Sequence, residues 1–512
     1  MSDYKNSIYY RVGKASDLKG RDYFIYRILE IIPGFLAWFT IISMFVFSFI
    51  FPFYCAVFII IFDVYWILKT LYLSIYLRQN WKKTRHNLNV NWKEKLSDLK
   101  YDKIRHLILL PFYNESWEVV EKSLYSLSQC EYDNKKMIIV LAGEERTKEH
   151  CLKIFDLVKN NFSNTFGELS FTIHPSDVVG EIKGKGSNIA FAAEETRKNV
   201  IDKKGYLYED ILVSAFDIDT VVYPQYFECL TWNFLTTEDR MRCSFQPIPV
   251  FTNNIWEAPA LSRVVSFSAT FWQMIQQERP DILATFSSHS VCFKTLYEVG
   301  YWQRNIVSED SRIFWNSLLA YNGDYRVVPL AYPVSMDANL AENFWQTIKN
   351  IYKQQRRWAW GTENGPYVVF GFLKNKKIPK ILKIKFTFFM YEGFWSLSTN
   401  PLIIFFLGWL PIILGGRDFN STILSYNLPF VTKMLMTISM LGLFMCLLIS
   451  ASFMPKPPKW TSYSHKIIMM IQWLLIPFTI IIFGAVPGLD AQTRLMFGKY
   501  MGFWVTPKHR KK

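Results

Sequence analysis

Five long apolar runs, two near the start of the chain and three near its end, most constrain what it can fold into. They cover residues 31–53, 55–76, 383–415, 427–453 and 466–486. A helix rises about 1.5 Å per residue and the hydrocarbon core of a bilayer is about 30 Å thick, so each run is long enough to span a membrane. The sequence therefore predicts membrane helices on both sides of a central region that contains no span.

The composition agrees with a membrane protein. Of the 512 residues, 50% are hydrophobic and 20% are charged, too few charges to cover the core of a soluble protein of this kind. Many Lys and Arg behind the net charge of +15 flank apolar runs, which argues against a nucleic-acid-binding domain. Basic residues precede the first run and follow the second, so both flanks belong in the cytoplasm and the two runs form a hairpin. They are Lys5, Arg11, Lys14, Lys19, Arg21 and Arg27, then Arg78, Lys82, Lys83 and Arg85.

The cysteines and histidines show no metal-binding spacing. Seven cysteines are scattered without a CxxC pair, and the seven histidines include no HExxH pattern. We expect reduced, structural thiols and no zinc site.

The central region alternates short apolar runs with amphipathic ones. Residues 104–110, 136–141, 169–173 and 211–216 are predicted strands, each followed by polar residues, and helical patterns such as 117–128 lie between them. Alternation of this kind predicts a mainly parallel sheet covered on both faces, in which ligands bind at the carboxyl ends of the strands.

Two aspartates at the end of the fourth predicted strand indicate a metal site. Asp217 and Asp219 follow an apolar run that has no packing reason to present two carboxylates. A hard cation such as Mg²⁺ or Mn²⁺ would remove the cost of placing them there, with diphosphate and water as its remaining ligands. The alternative is that one Asp only caps the following turn.

Two further motifs could hold a nucleotide. Pro111, Tyr113 and Glu115 end the first predicted strand, and Lys183 and Lys185 alternate with glycine before a helical pattern. A helix start suits phosphate through its N–H groups, an aromatic ring can stack on a base, and a carboxylate can bind a ribose or base. A plain turn and a flexible basic loop remain the alternatives.

Two motifs follow in the second half of the central region. Glu309 and Asp310 begin an amphipathic helix, where carboxylates are favoured by capping alone but could also serve as a proton acceptor. Gln354, Arg357 and Trp358 share one face of a later helix whose pattern suits a membrane interface. Arg can stabilise a diphosphate and Trp can stack on a sugar, but an ordinary interfacial arginine cluster would look similar.

Taken together and in this order, the five motifs resemble those of family-2 glycosyltransferases of the GT-A fold, especially the cellulose synthase and hyaluronan synthase branch. The likeness runs from about residue 105 to residue 360. It implies an α/β, Rossmann-like GT-A domain in the cytoplasm, inserted between N- and C-terminal transmembrane helices.

The resemblance also implies a role for each motif. Pro111, Tyr113, Glu115, Glu144, Lys183, Lys185 and Asp217 would bind the UDP-sugar donor, while Asp217 and Asp219 would bind Mg²⁺ or Mn²⁺. Asp310 would be the general base of an inverting transfer. Glu309, Gln354, Arg357 and Trp358 would bind the acceptor and the diphosphate.

A sixth motif near the end of the chain matches the gating loop of cellulose synthases. It comprises Phe503, Val505, Thr506 and Lys508. Such a loop must be cytoplasmic, yet three spans after the central domain would leave it outside. Either the apolar stretch interrupted at Asn400-Pro401 forms a tight pair of spans, or residues 466–489 lie partly in the interface or re-enter the membrane. An interface helix precedes the gating loop in cellulose synthases, and this resemblance favours the second arrangement.

The sequence departs from the family in three places. The turn after the second strand, 141–146, has Glu144 and Glu145 in place of an Asp-rich pattern, so one of these two glutamates would take over uracil recognition. Residues 287–290 differ from the usual acceptor-site segment. The spans that follow the gating loop in cellulose synthases are absent, which leaves polymer translocation open.

The predicted function is metal-dependent, inverting transfer from a UDP-sugar to a growing β-linked polysaccharide, processive and coupled to export through the plasma (inner) membrane. The alternatives are a non-processive transferase acting on a lipid or lipid-linked acceptor, and a transporter or receptor with a nucleotide-binding domain. No nucleic-acid partner is expected. The predicted domains are 1–86 (hairpin), 87–343 (catalytic), 344–382 (interface helix), 383–487 (C-terminal transmembrane region) and 488–512 (gating motif and basic tail).

Overall fold

A computed structural model describes residues 3–507, without the side chains of residues 439–441, 443 and 444. Its central domain contains one eight-stranded mixed sheet in the order β3-β2-β1-β4-β7-β6-β8-β5. The strands are β1 (Arg105–Pro111), β2 (Met137–Glu144), β3 (Glu168–His174), β4 (Ile211–Ala215), β5 (Val221–Val222), β6 (Cys243–Val250), β7 (Ser290–Cys292) and β8 (Arg326–Ser335). The four strands predicted from the apolar runs are β1 to β4, and they pair in parallel.

The second half of the sheet was missed by the sequence analysis. Strand β6 contains Pro247 and Pro249, and β8 contains Pro329 and Pro333, residues that argue against an internal strand because they lack an N–H group. The two strands nevertheless pair in parallel, with a register shift between Gln246 and Ile248 that accommodates the irregularity. Strand β7 joins this half to β4 through antiparallel pairs.

Helices cover both faces of the sheet, as the alternating pattern predicts. Two separate apolar cores lie between the helices and the sheet. All seven cysteines are free thiols, and six of them are buried. The helices of the central domain are Trp92–Ser97, Trp117–Ser128, Lys148–Phe162, Lys185–Thr196 (continued by the π-helical turn Arg197–Ile201 and by Asp202–Lys204), Tyr226–Thr236, Ala260–Gln277, Phe293–Val299 and Glu309–Ala320.

Long apolar helices precede and follow this domain. Among the described residues, Gly20–Ile50, Pro52–Asn89 and Tyr463–Met496 are long and apolar enough to cross a membrane, and the bent pair Lys380–Phe405 and Leu407–Leu414 would make a fourth span. The helix Ile423–Phe453, 31 residues long, packs against Pro52–Asn89. The predicted placement of a mainly parallel α/β domain between such helices is confirmed.

Contacts between helix ends define the two ends of the apolar helical region. Gly415 lies so close to Pro52 that a Cβ on the glycine would come within 2.8 Å of the proline Cβ. At the other end, Trp81 Nε1 donates to Ser452 Oγ at 2.8 Å. The chain therefore turns back at the level of Pro52 and Gly415, far from the central domain.

The last apolar segment, Tyr463–Met496, takes a different course. It is broken into Tyr463–Ile471, Ile476–Ile480 and Val486–Met496. Near its start the His465 ring lies 6.1 Å from Trp256 of the central domain, and near its end Asp490 accepts from Arg356 at 2.9 Å. Both ends of the segment thus lie on the side of the central domain.

The predicted interface helix runs from Phe344 to Ala359. It continues into a 3₁₀ turn, Trp360–Glu363, and then into the helix Asn364–Lys374.

Candidate active site

The buried strand β4 delivers Asp217 and Asp219 at the carboxyl edge of the sheet, as the sequence predicts. One carboxylate oxygen of Asp217 accepts from the Ser287 hydroxyl at 2.8 Å. Asp219 is fully buried, and its Oδ2 accepts from the backbone N–H of Asp337 at 2.8 Å. Both carboxylates are therefore held in fixed orientations by neighbouring loops.

Lys185 connects two of the predicted motifs. Its Nζ donates to Asp217 Oδ1 at 2.6 Å and to Asp310 Oδ2 at 3.0 Å. Burial lowers the pKa of Lys185, but the carboxylates of Asp217, Asp310 and Glu309 outweigh that effect and raise it, so the amine is charged. Lys183 is not part of this group, because it pairs with the exposed Asp177 at 2.9 Å.

Asp310 lies in the first turn of the helix Glu309–Ala320, beside a buried histidine. His289 Nδ1 is 3.8 Å from Asp310 Oδ1 and donates to the Phe286 carbonyl at 2.8 Å. Trp302 Nε1 donates to the other ring nitrogen at 3.2 Å, which places the imidazole proton on Nδ1. Burial lowers the pKa of His289, so the ring is neutral and presents an N–H edge towards Asp310.

Glu309 differs from its neighbour in environment. Its side chain is buried, and a Cβ added to Gly186 would come within 2.9 Å of the Glu309 Cβ. Burial, assisted by the charge of Asp310, raises the pKa of Glu309 to about 8. The carboxyl group therefore holds a proton at neutral pH, while Asp310 contacts the Lys185 ammonium.

The ends of β1 and β2 form a second group of side chains. Tyr113 lies beneath the Arg146 guanidinium, whose carbon is 4.6 Å from the ring centre. Arg146 Nε donates to buried Glu144 at 2.8 Å, and Glu115 Oε2 accepts from the backbone N–H of Tyr113 at 2.7 Å. Pro111, the last residue of β1, pairs with Ala142 of β2 beside this group. Arg146 belongs to none of the motifs for which the sequence predicts a role.

The Gln-x-x-Arg-Trp motif approaches the site from the interface helix. Gln354 is buried, and the Arg357 guanidinium lies 5.0 Å from the centre of the Phe503 ring. Trp358 is 38% exposed and packs against Phe251, with ring centres 6.2 Å apart. An aromatic face therefore remains accessible beside the buried amide and the guanidinium.

The C-terminal motif meets the same site. A Cβ on Gly184 would come within 2.5 Å of Phe503, so the ring rests directly on the glycine between Lys183 and Lys185. Thr506 is buried and Val505 is half-buried, whereas Lys508 lies outside the described residues. Phe503 thus joins the Lys-Gly-Lys-Gly and Gln-x-x-Arg-Trp motifs, some 300 and 150 residues away in the chain.

The carboxylates of Asp217 and Asp219 fit a hard divalent cation that takes its other ligands elsewhere. Both supply oxygen donors at one strand end. Within residues 3–507, no group of three His, Cys, Asp or Glu side chains could hold a metal. Such a pair suits Mg²⁺ or Mn²⁺ bound together with a diphosphate and water.

Comparison with known proteins identifies related chains. A family model described as "Glycosyl transferase family group 2" matches residues 212–485. Poly-beta-1,6-N-acetyl-D-glucosamine synthase of Staphylococcus aureus (strain COL) is 23% identical over 354 residues, which cover 68% of this chain and 72% of that protein.

Solved structures give weaker likenesses. Mannosyltransferase PcManGT from Pyrobaculum calidifontis, in complex with GDP-Man and Mn2+, has a TM-score of 0.43 and 11% identity, covering 86% of this chain and 99% of that one. S. aureus TarS 1-349 in complex with UDP-GlcNAc has a TM-score of 0.35 and 12% identity, covering 65% and 88%.

Proposed function

Since the chain belongs to glycosyl transferase family group 2, we propose that its central domain transfers a sugar from a UDP-sugar to the hydroxyl of a growing β-linked polysaccharide. Family membership confirms the predicted enzyme class, a glycosyltransferase, and the predicted GT-A fold. It excludes the alternative of a transporter or receptor that only binds a nucleotide.

One observation carries the proposal. The carboxylates of Asp217 and Asp310, 93 residues apart in the chain, contact the same ammonium group of Lys185. Asp217 belongs to the motif expected to face the donor diphosphate, and Asp310 to the motif expected to face the acceptor. A reacting hydroxyl between them would therefore meet a base and a leaving group within one site.

In the proposed reaction, Asp310 takes the proton of the acceptor hydroxyl. The hydroxyl oxygen attacks the anomeric carbon from the face opposite the UDP, the bond from that carbon to the diphosphate oxygen breaks, and UDP leaves with the bonding electrons. The anomeric configuration is inverted. Mg²⁺ or Mn²⁺ held by Asp217 and Asp219 would offset the charge that develops on the diphosphate. Lys185 and Arg357 are the nearby cations for the same charge.

The remaining side chains divide between the two substrates. The proposed uridine pocket comprises Tyr113, Glu115 and Glu144. The Arg146 guanidinium, which stacks on Tyr113 and donates to Glu144, forms one side of it. Gln354 and Trp358 form the proposed acceptor side, where a sugar ring can stack on the exposed indole. Glu309, neutral at pH 7, would donate a hydrogen bond there without repelling the diphosphate.

We propose N-acetylglucosamine as the transferred sugar and a polymer as the product. The support is the similarity to a synthase of poly-beta-1,6-N-acetyl-D-glucosamine over 72% of its length. The contact of Phe503 with Gly184 supports a place near the cellulose synthase and hyaluronan synthase branch, because a gating loop must reach the donor site.

The proposed location is the plasma membrane, with the catalytic domain in the cytoplasm. The helices Gly20–Ile50 and Pro52–Asn89 and those of residues 383–453 would cross the bilayer, and residues 344–382 with 463–507 would lie at its cytoplasmic face. The basic flanks of the first two helices support this orientation.

The protein purified in lipid nanodiscs tests the proposal. It is incubated with UDP-N-acetylglucosamine, UDP-glucose or GDP-mannose, with Mn²⁺ or with EDTA, and both nucleotide release and product size are measured. We expect UDP from UDP-N-acetylglucosamine with Mn²⁺ and a product of many sugars. A product carrying a single sugar would establish the non-processive alternative, and release from GDP-mannose alone would overturn the donor assignment.

A further inference from the structure

A buried glutamate holds the start of the helix that carries Asp310. Glu363 is 6% exposed, and its Oε1 accepts from the backbone N–H of Val307 at 3.0 Å and of Ser308 at 2.8 Å. The same oxygen accepts from the Ser308 hydroxyl at 2.7 Å. Its Oε2 accepts from Trp360 Nε1 at 2.9 Å.

The helix Glu309–Ala320 lacks a cap of its own. Ser308 is its N-cap residue, but the Ser308 side chain makes no capping bond to the helix. The Glu363 carboxylate instead accepts from the N–H groups of Val307 and Ser308, directly before the helix, where an anion is favoured by the helix dipole. The contact therefore fixes the turn in which Glu309 and Asp310 lie.

The next residue strengthens the same contact. Asn364 Oδ1 accepts from Arg312 Nε at 2.6 Å, one turn into the helix. Asn364 Nδ2 donates to the hydroxyls of Ser308 at 3.1 Å and Ser311 at 2.9 Å. Glu363 and Asn364, which we call the clasp, thus contact the two residues before the helix, Val307 and Ser308, and two residues of its first turn, Ser311 and Arg312.

The clasp is also continuous with the acceptor-side motif. Glu363 ends the 3₁₀ turn that directly follows the helix Phe344–Ala359, which carries Gln354, Arg357 and Trp358. The indole N–H of Trp360, a residue of the same turn, donates to Oε2 of Glu363. A shift of the interface helix would therefore be transmitted to the position of Asp310.

We propose that Glu363 is a positioning residue for Asp310 and makes the acceptor-side helix and the proposed base one rigid unit. This inference rests on the proposed function. The donors to its carboxylate are all neutral, and no Lys or Arg side chain pairs with it among the described residues. A buried carboxylate satisfied in this way costs desolvation energy, and a neutral residue would fill the space at lower cost if packing were its sole role.

The test compares Glu363→Gln with Glu228→Gln, which makes the same change at another buried glutamate, on the helix Tyr226–Thr236 away from the site. Gln keeps the size of the side chain but replaces one accepting oxygen with an NH₂ donor. Two quantities are measured on the full-length protein in nanodiscs: hydrogen exchange of the backbone amides in peptides covering 304–315, and the kcat and donor KM of UDP release from UDP-N-acetylglucosamine.

We expect faster exchange in 304–315 for Glu363→Gln alone. We also expect kcat to fall by about 10²-fold with little change in donor KM, because a displacement of about 1 Å at a reacting group costs that much. The double variant with Asp310→Asn should be no slower than Asp310→Asn by itself, since both act on one step. Equal exchange in wild type and Glu363→Gln would overturn the inference, as would an unchanged kcat.

The two proposals can fail separately. If wild type releases no nucleotide from any sugar donor, the proposed function fails, and the exchange of residues 304–315 still decides whether Glu363 holds the helix.

Discussion

Lys185 is the residue on which the candidate site is centred. Its ammonium is buried between Asp217 and Asp310, so one positive charge offsets two carboxylates from different motifs. A divalent cation at Asp217 and Asp219 has to compete with this ammonium for Asp217. The strength of metal binding should therefore depend on whether the lysine is present.

We predict that Lys185→Met binds Mn²⁺ more tightly than wild type while losing transferase activity. A tenfold tighter Kd would add about 1.4 kcal/mol of stabilisation by saturating metal, visible as a larger rise in melting temperature. Lys183→Met is the matched control, because Lys183 lies two residues from Lys185 in the chain but pairs with exposed Asp177, outside the site. An equal response of Lys185→Met and Lys183→Met to Mn²⁺ would contradict the competition.

The raised pKa of Glu309 predicts that the stability of the folded protein depends on pH. Burial raises its pKa from 4.5 to about 8, so between these values the unfolded chain has released the proton and the folded chain still holds it. Stability contributed by this group therefore falls as pH rises through that window. Relative to wild type, Glu309→Gln should gain melting temperature from pH 5 to pH 8. Exposed Glu149→Gln is the control, and its difference in melting temperature from wild type should not change with pH. A pH-independent difference for Glu309→Gln would contradict the raised pKa of Glu309.

Single residues were predictable from the sequence where they belong to a local motif. Asp217, Asp310 and Arg357 could be singled out because strand ends and helical spacing bring chemistry to a known side of an element. Glu363 and His289 could not, because their importance comes from contacts with residues distant in sequence. No local pattern distinguishes either from an ordinary buried polar residue.

At the scale of elements, the central contact is between the C-terminal segment, residues 497–507, and the interface helix. Phe503 lies between Gly184 and Arg357, while Lys353 Nζ is 5.3 Å from the centre of the Trp504 ring. The segment is tied further back, where the Tyr500 hydroxyl donates to Glu30 at 2.9 Å. The segment is therefore anchored at Tyr500 and covers the proposed donor site with Phe503.

We predict that Phe503→Ala weakens donor binding. Loss of the ring contact should raise the donor KM about tenfold, equivalent to roughly 1.4 kcal/mol of apolar contact. Phe497→Ala, in the same segment but 65% exposed, is the control and should leave the KM unchanged. Steady-state kinetics of UDP release on both variants checks this, and equal KM values would argue against a closing role.

The elements themselves were predicted unevenly. The parallel strands β1 to β4 follow from uninterrupted apolar runs, since both faces are buried beneath helices. Strands β6 and β8 were not predicted, because their prolines are typical of loops. Their parallel pairing includes a register shift, and tertiary packing, which no local sequence pattern reveals, determines it. Lys185 was predicted to precede a helix, whereas the helix Lys185–Thr196 begins at this residue, so Lys185 lies in the first turn.

At the scale of the whole molecule, contacts suggest how the chain lies relative to the membrane. The segment Tyr463–Met496 is apolar enough to span, yet it packs along the central domain at several points. Arg263 Nε donates to Gln472 at 2.6 Å, and the Phe271 and Trp473 rings are 5.7 Å apart. We propose that it lies in the interface, which leaves residues 497–507 in the cytoplasm beside the active site.

Cysteine labelling tests this topology in intact cells with a membrane-impermeant maleimide. We predict that Ser421→Cys, at the turn near Gly415, is labelled from outside, while Ser464→Cys and Lys499→Cys are labelled only after permeabilisation. These three positions are exposed, whereas the native cysteines are buried or half-buried and give a low background. Labelling of Lys499→Cys from outside, with Ser464→Cys protected, would mean that the segment spans the bilayer.

The overall architecture was the most predictable level. Composition and run length alone indicate a membrane protein, because apolar stretches of this length need a bilayer or a large core. The number of spans was not predictable, since hydropathy cannot distinguish a helix that crosses the membrane from one that lies along a domain at its surface.

The measurement that tests the central claim most directly is UDP release from UDP-N-acetylglucosamine by wild type and Asp310→Asn at saturating donor. Asp324→Asn, a change at an aspartate whose side chain is 72% exposed, serves as control. We predict sustained release by wild type and the control, and a rate lower by about 10²- to 10⁴-fold for Asp310→Asn. Equal rates for Asp310→Asn and wild type would contradict the assignment of the base, and with it the proposed reaction.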